Sequence, residues 1–481
     1  MRSRELQAVA ALTVLGAILR WSTIDVQSYW FDEALTARLL DLGLFDMLRA
    51  LPDKELTPPL YYVLAWPWSK LLGTDQLALR SFSALIGTLT IPVAYLAGAE
   101  LLSRRAGVAA AALTAFNPLL VWYSQEARPY ALVVLLGGLS FLFFTRALRG
   151  PRLRPLAAWV AVSIAALLAH YFAAFVIVPE AVWLFLHAGH RRRVALAGAV
   201  LGLVGIAEIP LAVHQRSQVA TDYISSIPLG HRVLWLGEDL VTGLVTALDT
   251  TAERLLAATG GLAVIAALGL FMRAPPARPA RRAAALAAGV GAAAIVLPLL
   301  LALAGLDFLN TRNLILACLP LLLALAVAVS FPRTGLGGAA AAALLCALGV
   351  AATAYAAADE SLHRDDWRGI ARALGRPGVT RAVAVPPISG NVSLARYLEP
   401  ARQLPAAGAP VREVALTALR RPGSPRRPAP PAPPGFRLVE ARRAAGFVVF
   451  RYRSSTPRRV RRERLDSSLY RVPPGVLLQE R

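Results

Sequence analysis

Apolar residues recur through the first three quarters of the chain in runs of roughly twenty, each closed by arginine or a short polar stretch. A run of that length matches the hydrocarbon thickness of a bilayer, so each predicts a membrane-spanning helix. About eleven are predicted, at 6–24, 78–101, 106–124, 130–147, two short ones within 155–187 that turn at His170-Tyr171, then 194–213, 254–272, 283–305, 311–330 and 336–357. Between the first two, residues 25–77 form a long outer loop with a different pattern. Leu35, Leu39 and Leu42 share one face of a helix beginning near Asp32, while Glu33, Arg38 and Asp41 tend to the other. With Tyr29, Trp30 and Phe31 ahead of it, this predicts a helix lying flat on the membrane surface. Leu44–Leu51, the Trp- and Tyr-rich run 60–72 and the stretch 232–248 read as further interfacial pieces.

Beyond 357 the pattern shortens. Arg368–Leu374 and Val392–Leu398 predict helices, and Arg381–Val385, Val411–Leu416 and Phe447–Tyr452 predict strands. The fold class is therefore a polytopic α-helical membrane protein over 1–357, with a small extracytoplasmic α/β domain over 358–481. A Pro-rich flexible loop is expected at 421–435. The basic run Arg458–Arg464 reads as a solvated tail, with contact to lipid headgroups as the alternative.

Composition agrees. At 56% hydrophobic and a mean hydropathy of +0.53 over 481 residues, the chain is too apolar for an ordinary soluble protein. The formal charge of +22 raises the question of nucleic acid. Its largest share, however, sits in clusters at 104–105, 146–154, 191–193 and 273–282, between apolar runs, where arginine sets orientation instead of binding a partner. Those clusters all fall inside when the N-terminus is cytoplasmic. The protein is then expected in the cytoplasmic (inner) membrane, with the C-terminal domain outside, membrane lipids around it and no nucleic-acid partner. No small-residue cleavage site precedes Arg20, so 1–24 is expected to be a retained helix and not a signal peptide. Cys318 and Cys346 lie within apolar runs and read as packing residues.

On that topology the unusual polar residues share one membrane face. Asp32, Glu33, Lys54, Glu55, Arg80, Glu126, Arg128, Tyr130, His170, Asp307 and Arg312 fall at outer helix ends or in outer loops, and Tyr61 lies in the outer Thr57-Pro58-Pro59-Leu60-Tyr61-Tyr62 stretch. A transporter places its charges near the midplane, where Glu180 is the main exception here. Arginines at the rim clamp a lipid phosphate, and a carboxylate there acts as general base toward a hydroxyl. Together they fit group transfer from a lipid-linked phosphate. Neither an Asp-x-Asp nor a Gly-Lys phosphate loop is present, nor zinc-spaced His and Cys, nor a Gly-x-Ser-x-Gly elbow.

Plainer roles stand beside these. Asp32 caps a helix and Glu33 favours its positive end; Arg80 and Arg312 snorkel; Glu126 and Arg128 pair with each other, Pro129 starting the next helix. His170 is then a turn histidine, and Lys54 and Glu55 are simply solvated.

The Asp32-Glu33 pair after the first helix, then Pro58-Pro59-Leu60-Tyr61-Tyr62, then the Leu72–Leu85 stretch containing Arg80, resembles the GT-C membrane glycosyltransferases. More narrowly it resembles the branch of protein O-mannosyltransferases and lipid A aminoarabinose transferases, of bacterial family-39 type. Asn117–Leu132, with Glu126, Arg128 and Tyr130, is similar to the end of that branch's third helix. Asn310–Pro320 looks like its Arg-Tyr-Leu-x-x-x-x-Pro helix, with Asn313 where Tyr is usual, and Asp366-Trp367-Arg368-Gly369 resembles the start of its external domain. The resemblance implies inverting transfer of a sugar from a polyprenyl-phosphate donor to a hydroxyl of a protein, lipid or glycan acceptor. It implies Asp32 as the base, Glu33 as a loop-shaping or acceptor-binding residue, and Arg80, Arg128 and Arg312 as phosphate ligands. Lys54, Glu55, Tyr61, Glu126, Tyr130 and His170 would line the site, with no cofactor and no essential metal. A polyprenyl-lipid flippase and a non-catalytic envelope scaffold are the competing readings.

Overall fold

The computed structural model describes every residue except 1, 151, 219–221, 245–249, 275–277, 388, 399, 421–427, 445, 466–468, 471–472 and 481. The chain divides into two compact units, one of Met1–Ile24 with Leu39–Tyr355 and one of Asp25–Arg38 with Ala356–Arg481. The segment 25–38, assigned by sequence to the first outer loop, thus belongs with the C-terminal unit.

The first unit is helical. Its helices are α1 (Arg2–Ser22), the end of α2 (Phe31–Asp41), α3 (Leu44–Lys54), α4 (Leu60–Leu72), α5 (Gln76–Leu101), α6 (Arg104–Phe116), α7 (Pro118–Ser124), α8 (Tyr130–Leu148), α9 (Leu153–Ala169) and α10 (Ala174–His187). α11 (Arg191–Gln218), α12 (Asp222–Ser225), α13 (Leu229–Thr242), α14 (Thr251–Arg273), α15 (Arg278–Leu303), α16 (Cys318–Ser330) and α17 (Gly335–Ala358) follow. Among the described residues seven helical stretches are long and apolar enough to cross a membrane, or eight if the bent pair α6–α7 is one span. α9 and α10 are shorter apolar helices. The chain is a multi-pass membrane protein.

Two predicted spans are irregular. The helix expected over 106–124 is broken by 58° between α6 and α7. Pro118 has no N–H to continue the ladder, and the Asn117 side chain instead accepts from the Leu120 amide and starts a new helix. The carbonyls orphaned at the end of α6 are met by Arg20 of α1. Its fully buried guanidinium donates to Thr114 O and Ala115 O at 3.1 and 2.9 Å, and to Ser124 Oγ across the break at 3.2 Å. The span expected over 311–330 opens with a 3-10 turn, Thr311–Ala317, before α16.

Small residues bring α5 and α6 together: a Cβ at Gly107 would lie 2.5 Å from Tyr95 O. Phe141, Phe144, Trp159, Leu316, Leu319 and Leu323 belong to the largest core cluster. Glu180, the midplane exception, accepts from Ser140 Oγ at 2.6 Å and Trp159 Nε1 at 2.8 Å, tying α10 to α8 and α9.

The second unit carries a six-stranded sheet in the order β2-β6-β1-β3-β5-β4. The strands are β1 (Arg381–Val385), β2 (Arg402–Gln403), β3 (Ala409–Leu419), β4 (Arg437–Arg443), β5 (Phe447–Val460) and β6 (Gly475–Gln479). β1 and β3 are parallel and the other pairs antiparallel. α18 (Trp367–Leu374) buries Trp367, Ile370, Ala373 and Leu374 in one core cluster with Val383, Val385 and Phe447.

Two expectations change here. Val392–Leu398 is not one helix; a short α19 (Ser389–Ser393) is followed by a 3-10 turn, Leu394–Tyr397. Arg458 and Arg459 are not tail residues, because they end β5 opposite Val411 and Pro410. Of the Pro-rich loop, 421–427 lies outside the described residues. Inside the sheet, Glu413 is buried, yet its carboxyl is held below the ordinary range: the burial cost is outweighed by hydrogen bonds from Arg451 (3.0 and 3.1 Å) and Arg453 (2.8 Å).

Candidate active site

In the first unit Glu55, Tyr62 and the α7–α8 turn meet at Arg128. The chain reaches it through the α7–α8 turn, where the Arg128 amide donates to the Glu126 carbonyl at 2.8 Å and Pro129 precedes α8. Arg128 donates from one guanidinium nitrogen to Glu55 at 2.6 Å and to the Tyr62 hydroxyl at 2.8 Å. Both charged side chains are almost fully buried, at 5% and 3% exposure. Glu55, a candidate site residue whose plainer reading was a solvated side chain, is therefore committed to an ion pair with a residue 73 positions away. Lys54 beside it is exposed, at the end of α3.

Aromatic rings wall this region. Tyr61 and Tyr62 meet edge to face at 5.5 Å, and the Tyr61 hydroxyl lies 3.4 Å from Ser83 Oγ. Tyr130 is buried, with its ring 4.9 Å from Tyr123 and 6.0 Å from His170. His170, at the turn between α9 and the following 3-10 turn, is pushed down to about 3, chiefly by burial and then by the charges of Arg128 and Arg312. It is thus a neutral imidazole at physiological pH. His170 thus feels the charges of both Arg128 and Arg312. Arg80 is buried on α5 and donates to the Ile24 carbonyl at 2.9 Å. Glu126 is buried in the same turn as Arg128. Arg312 is half-buried, and its amide donates to Asn310 Oδ1 at 3.3 Å.

The piece expected over 232–248 falls largely on α13 (Leu229–Thr242), and what sequence reading missed is that this helix holds the Arg312 segment. Arg232 on α13 grips both Asp307 oxygens at 2.7 and 2.6 Å and donates to Leu309 O at 3.0 Å. One turn from the end of the same helix, Asp239 accepts from Thr311 Oγ1. α13 also accepts from Asn117 Nδ2 through Leu240 O. It ends at Gly243, whose φ of +63° and close approach to Leu119 (a Cβ would lie 2.4 Å from its nitrogen) exclude a side chain. One helix, α13, thereby fixes both the break before Arg128 and the loop before Arg312. The sequence signal was Arg232 and Asp239 seven apart, two turns along one helix.

Burial pushes the Asp239 carboxyl up to about 7; the Thr311 hydroxyl opposes this and Glu238 adds to it. An acid whose folded pKa exceeds its unfolded value near 3.8 takes up a proton on folding, so its contribution is complete below that value and is lost as pH rises through about 7. Thermal midpoints of detergent-solubilised protein are expected to fall between pH 5 and 8, and to fall less in Asp239→Asn.

In the second unit, α2 begins at Phe31, and the Trp30 carbonyl accepts the Ala34 amide. Asp32 is therefore inside the first turn, half-buried, and is not the cap. Glu33, expected on the water-facing side, is fully buried with Arg364 3.9 Å away. The face defined by Glu33, Ala34, Ala37 and Leu40 is the buried one, whereas Leu42 is exposed. Arg364 itself lies 4.7 Å over the Trp30 ring. Among the described residues no three His, Cys, Asp or Glu side chains gather as metal ligands.

Residues 57–214 match the model of the dolichyl-phosphate-mannose-protein mannosyltransferase family. None of the curated proteins matches the chain. Among solved structures, the chain is similar to the S. cerevisiae protein O-mannosyltransferase Pmt1-Pmt2 complex bound to the sugar donor, at 19% identity over 46% of this chain and 35% of that one, with a TM-score of 0.35. It is similar to the Archaeoglobus fulgidus oligosaccharyltransferase AglB in complex with an inhibitory peptide and a dolichol-phosphate, at 15% identity over 77% and 57%, with a TM-score of 0.48. It is also similar to ArnT from Cupriavidus metallidurans bound to undecaprenyl phosphate, at 15% identity over 92% and 97%, with a TM-score of 0.41. The chain thus spans about a third of the yeast protein and just over half of the archaeal one. At these scores the overall likeness is partial and fixes neither activity nor substrate. The resemblance to the mannosyltransferase branch of the GT-C glycosyltransferases, carried in the sequence by the Pro58–Tyr62, Arg80 and Glu126–Tyr130 motifs, is borne out by the family match over 57–214.

Proposed function

We propose that the chain is an inverting glycosyltransferase. It moves a sugar from a polyprenyl-phosphate donor to an acceptor hydroxyl at the outer face of the cytoplasmic membrane. The observation that carries this is the family match over the segment bearing Tyr61, Arg80, Glu126, Arg128, Tyr130 and His170. Asp32 takes the proton from the acceptor hydroxyl as its oxygen attacks the anomeric carbon from the side opposite the phosphate. The bond from that carbon to the phosphate oxygen breaks, and its electron pair leaves on the phosphate. Arg80, Arg128 and Arg312 stabilise the charge gained there. Neutral His170 and Tyr130 offer the sugar a polar, aromatic wall without adding charge. The donor is a lipid-linked sugar, the acceptor a protein, lipid or glycan, and no cofactor or metal is assigned a role.

On this reading α1, α9 and α10 also cross the bilayer, giving eleven spans with the arginine clusters inside. A membrane-impermeant maleimide is then expected to modify Lys54→Cys in intact cells and Arg192→Cys only after permeabilisation; the reverse pattern overturns the orientation. The function itself is tested by mass spectrometry of envelope glycans from cells with and without the chain. Loss of one sugar from one class of acceptor is expected, and identical profiles contradict the proposal.

A further inference from the structure

The structure assigns a role to the C-terminal module that the motifs leave open: we propose that Arg364, Arg368 and Tyr397 are positioning residues that clamp the loop bearing Asp32. This rests on the proposed function only where it says what the loop does; the clamp itself rests on geometry.

The clamp consists of separate contacts along 25–33. Arg368 reaches back to Asp25 with two carboxylate contacts, at 3.0 and 3.3 Å, and donates to the carbonyls of Asp25 and Gln27 at 3.1 and 3.3 Å. The Arg364 amide donates to Gln27 Oε1 at 3.1 Å, and its guanidinium covers Trp30 and faces Glu33. The Tyr29 amide donates to the Tyr397 hydroxyl at 2.8 Å. The join also serves the module. The first-turn amides of α18 lack partners within the helix, and they are met by Ser28 Oγ (from Arg368 N, 3.0 Å) and Asp366 Oδ1 (from Gly369 N, 2.7 Å). Ser28 in turn donates to Asp366 at 3.3 Å. A residue of the loop is thus a cap for a helix of the module, so neither is complete without the other.

This gives the Asp366-Trp367-Arg368-Gly369 motif a physical content. Asp366 caps α18, Trp367 is buried beneath it, and Arg368 carries the loop. A base must be held within a fraction of an ångström of its working position. Glu33, next in sequence to Asp32, is anchored by its burial beside Arg364, which fixes the first turn of α2.

Hydrogen exchange of the full-length chain in detergent, read by mass spectrometry on peptides covering 25–38, tests the clamp without any assumption about activity. Asp25→Arg and Arg368→Asp singly are expected to speed exchange there at least tenfold, and the double reversal to bring it back within about threefold of wild type. Tyr397→Phe is expected to release the Tyr29 amide alone. Unchanged exchange in both single variants overturns the clamp. Turnover of a polyprenyl-phosphate sugar tests the positioning. kcat is expected to fall at least tenfold in each single variant, with the donor KM within about twofold, and to recover in the double reversal. Faster exchange with unchanged kcat overturns the positioning role. If wild type turns over no such donor, the proposed function fails while the exchange result still decides the clamp.

Discussion

Asp32→Asn is expected to lower sugar transfer from polyprenyl-phosphate donors by about 100-fold or more, with the donor KM changed only a few-fold. Asparagine keeps the size of the side chain and an acceptor oxygen, but at neutral pH it takes up no proton from a hydroxyl. A positioned general base contributes roughly 10²–10⁴ in rate, which sets the scale of the loss. Asp32 is half-buried in the first turn of α2, and asparagine fills the same volume there. Stability is expected to stay near wild type, which separates a lost proton acceptor from a misfolded protein. Initial rates at saturating donor, with the thermal midpoint of the same preparation, make the comparison. Unchanged turnover removes Asp32 from the mechanism.

The second large effect is at Arg128. Replacing it with alanine strands the Glu55 carboxylate in a site where its side chain is 3% exposed. Breaking a buried ion pair from one side costs about 3–5 kcal/mol, because the remaining charge stays desolvated. Arg128→Ala is therefore expected to lose stability on that scale in denaturant or thermal unfolding. The double variant Arg128→Met with Glu55→Gln removes both charges at similar volume and is expected to recover most of the loss, as buried pairs often do when replaced whole. It is not expected to recover donor turnover, since the guanidinium proposed for the phosphate is gone. Recovery of both properties assigns Arg128 to packing alone.

What the sequence displayed and what it concealed divide along physical lines. Spans announce themselves because a bilayer demands a fixed apolar length, and the short pair turning at His170 was legible for that reason. The break at Asn117-Pro118 was concealed because an apolar run continues across it; only the pairing of a capping Asn with a Pro marked the place. β4 was concealed because it is an edge strand whose polar, largely exposed residues do not alternate.

The candidate side chains were legible as residue types at outer helix ends, but their partners were not. Nothing in sequence spacing joins Glu55 to Arg128, or Arg364 to Glu33, because these pairs are set by packing between distant segments. Glu33 was misplaced on the solvated face for a related reason. A helical wheel ranks residues by polarity, whereas the buried side of α2 combines small residues with one carboxylate beside an arginine. Glu180 stood out as the midplane exception, but neither its role nor that of Arg20 was legible, because a lone polar residue in a span has no spacing to read. Their partners lie on neighbouring helices, carbonyls and Ser124 for Arg20, Ser140 and Trp159 for Glu180.

The most direct measurement is the fate of the donor itself. Purified protein in lipid vesicles, given a panel of radiolabelled polyprenyl-phosphate sugars with envelope extract as acceptor, is expected to release free polyprenyl phosphate in step with labelled product from at least one donor. Asp32→Asn in the same vesicles is expected to release almost none. Full retention of every donor by the folded wild-type protein, or equal release by the variant, contradicts the account.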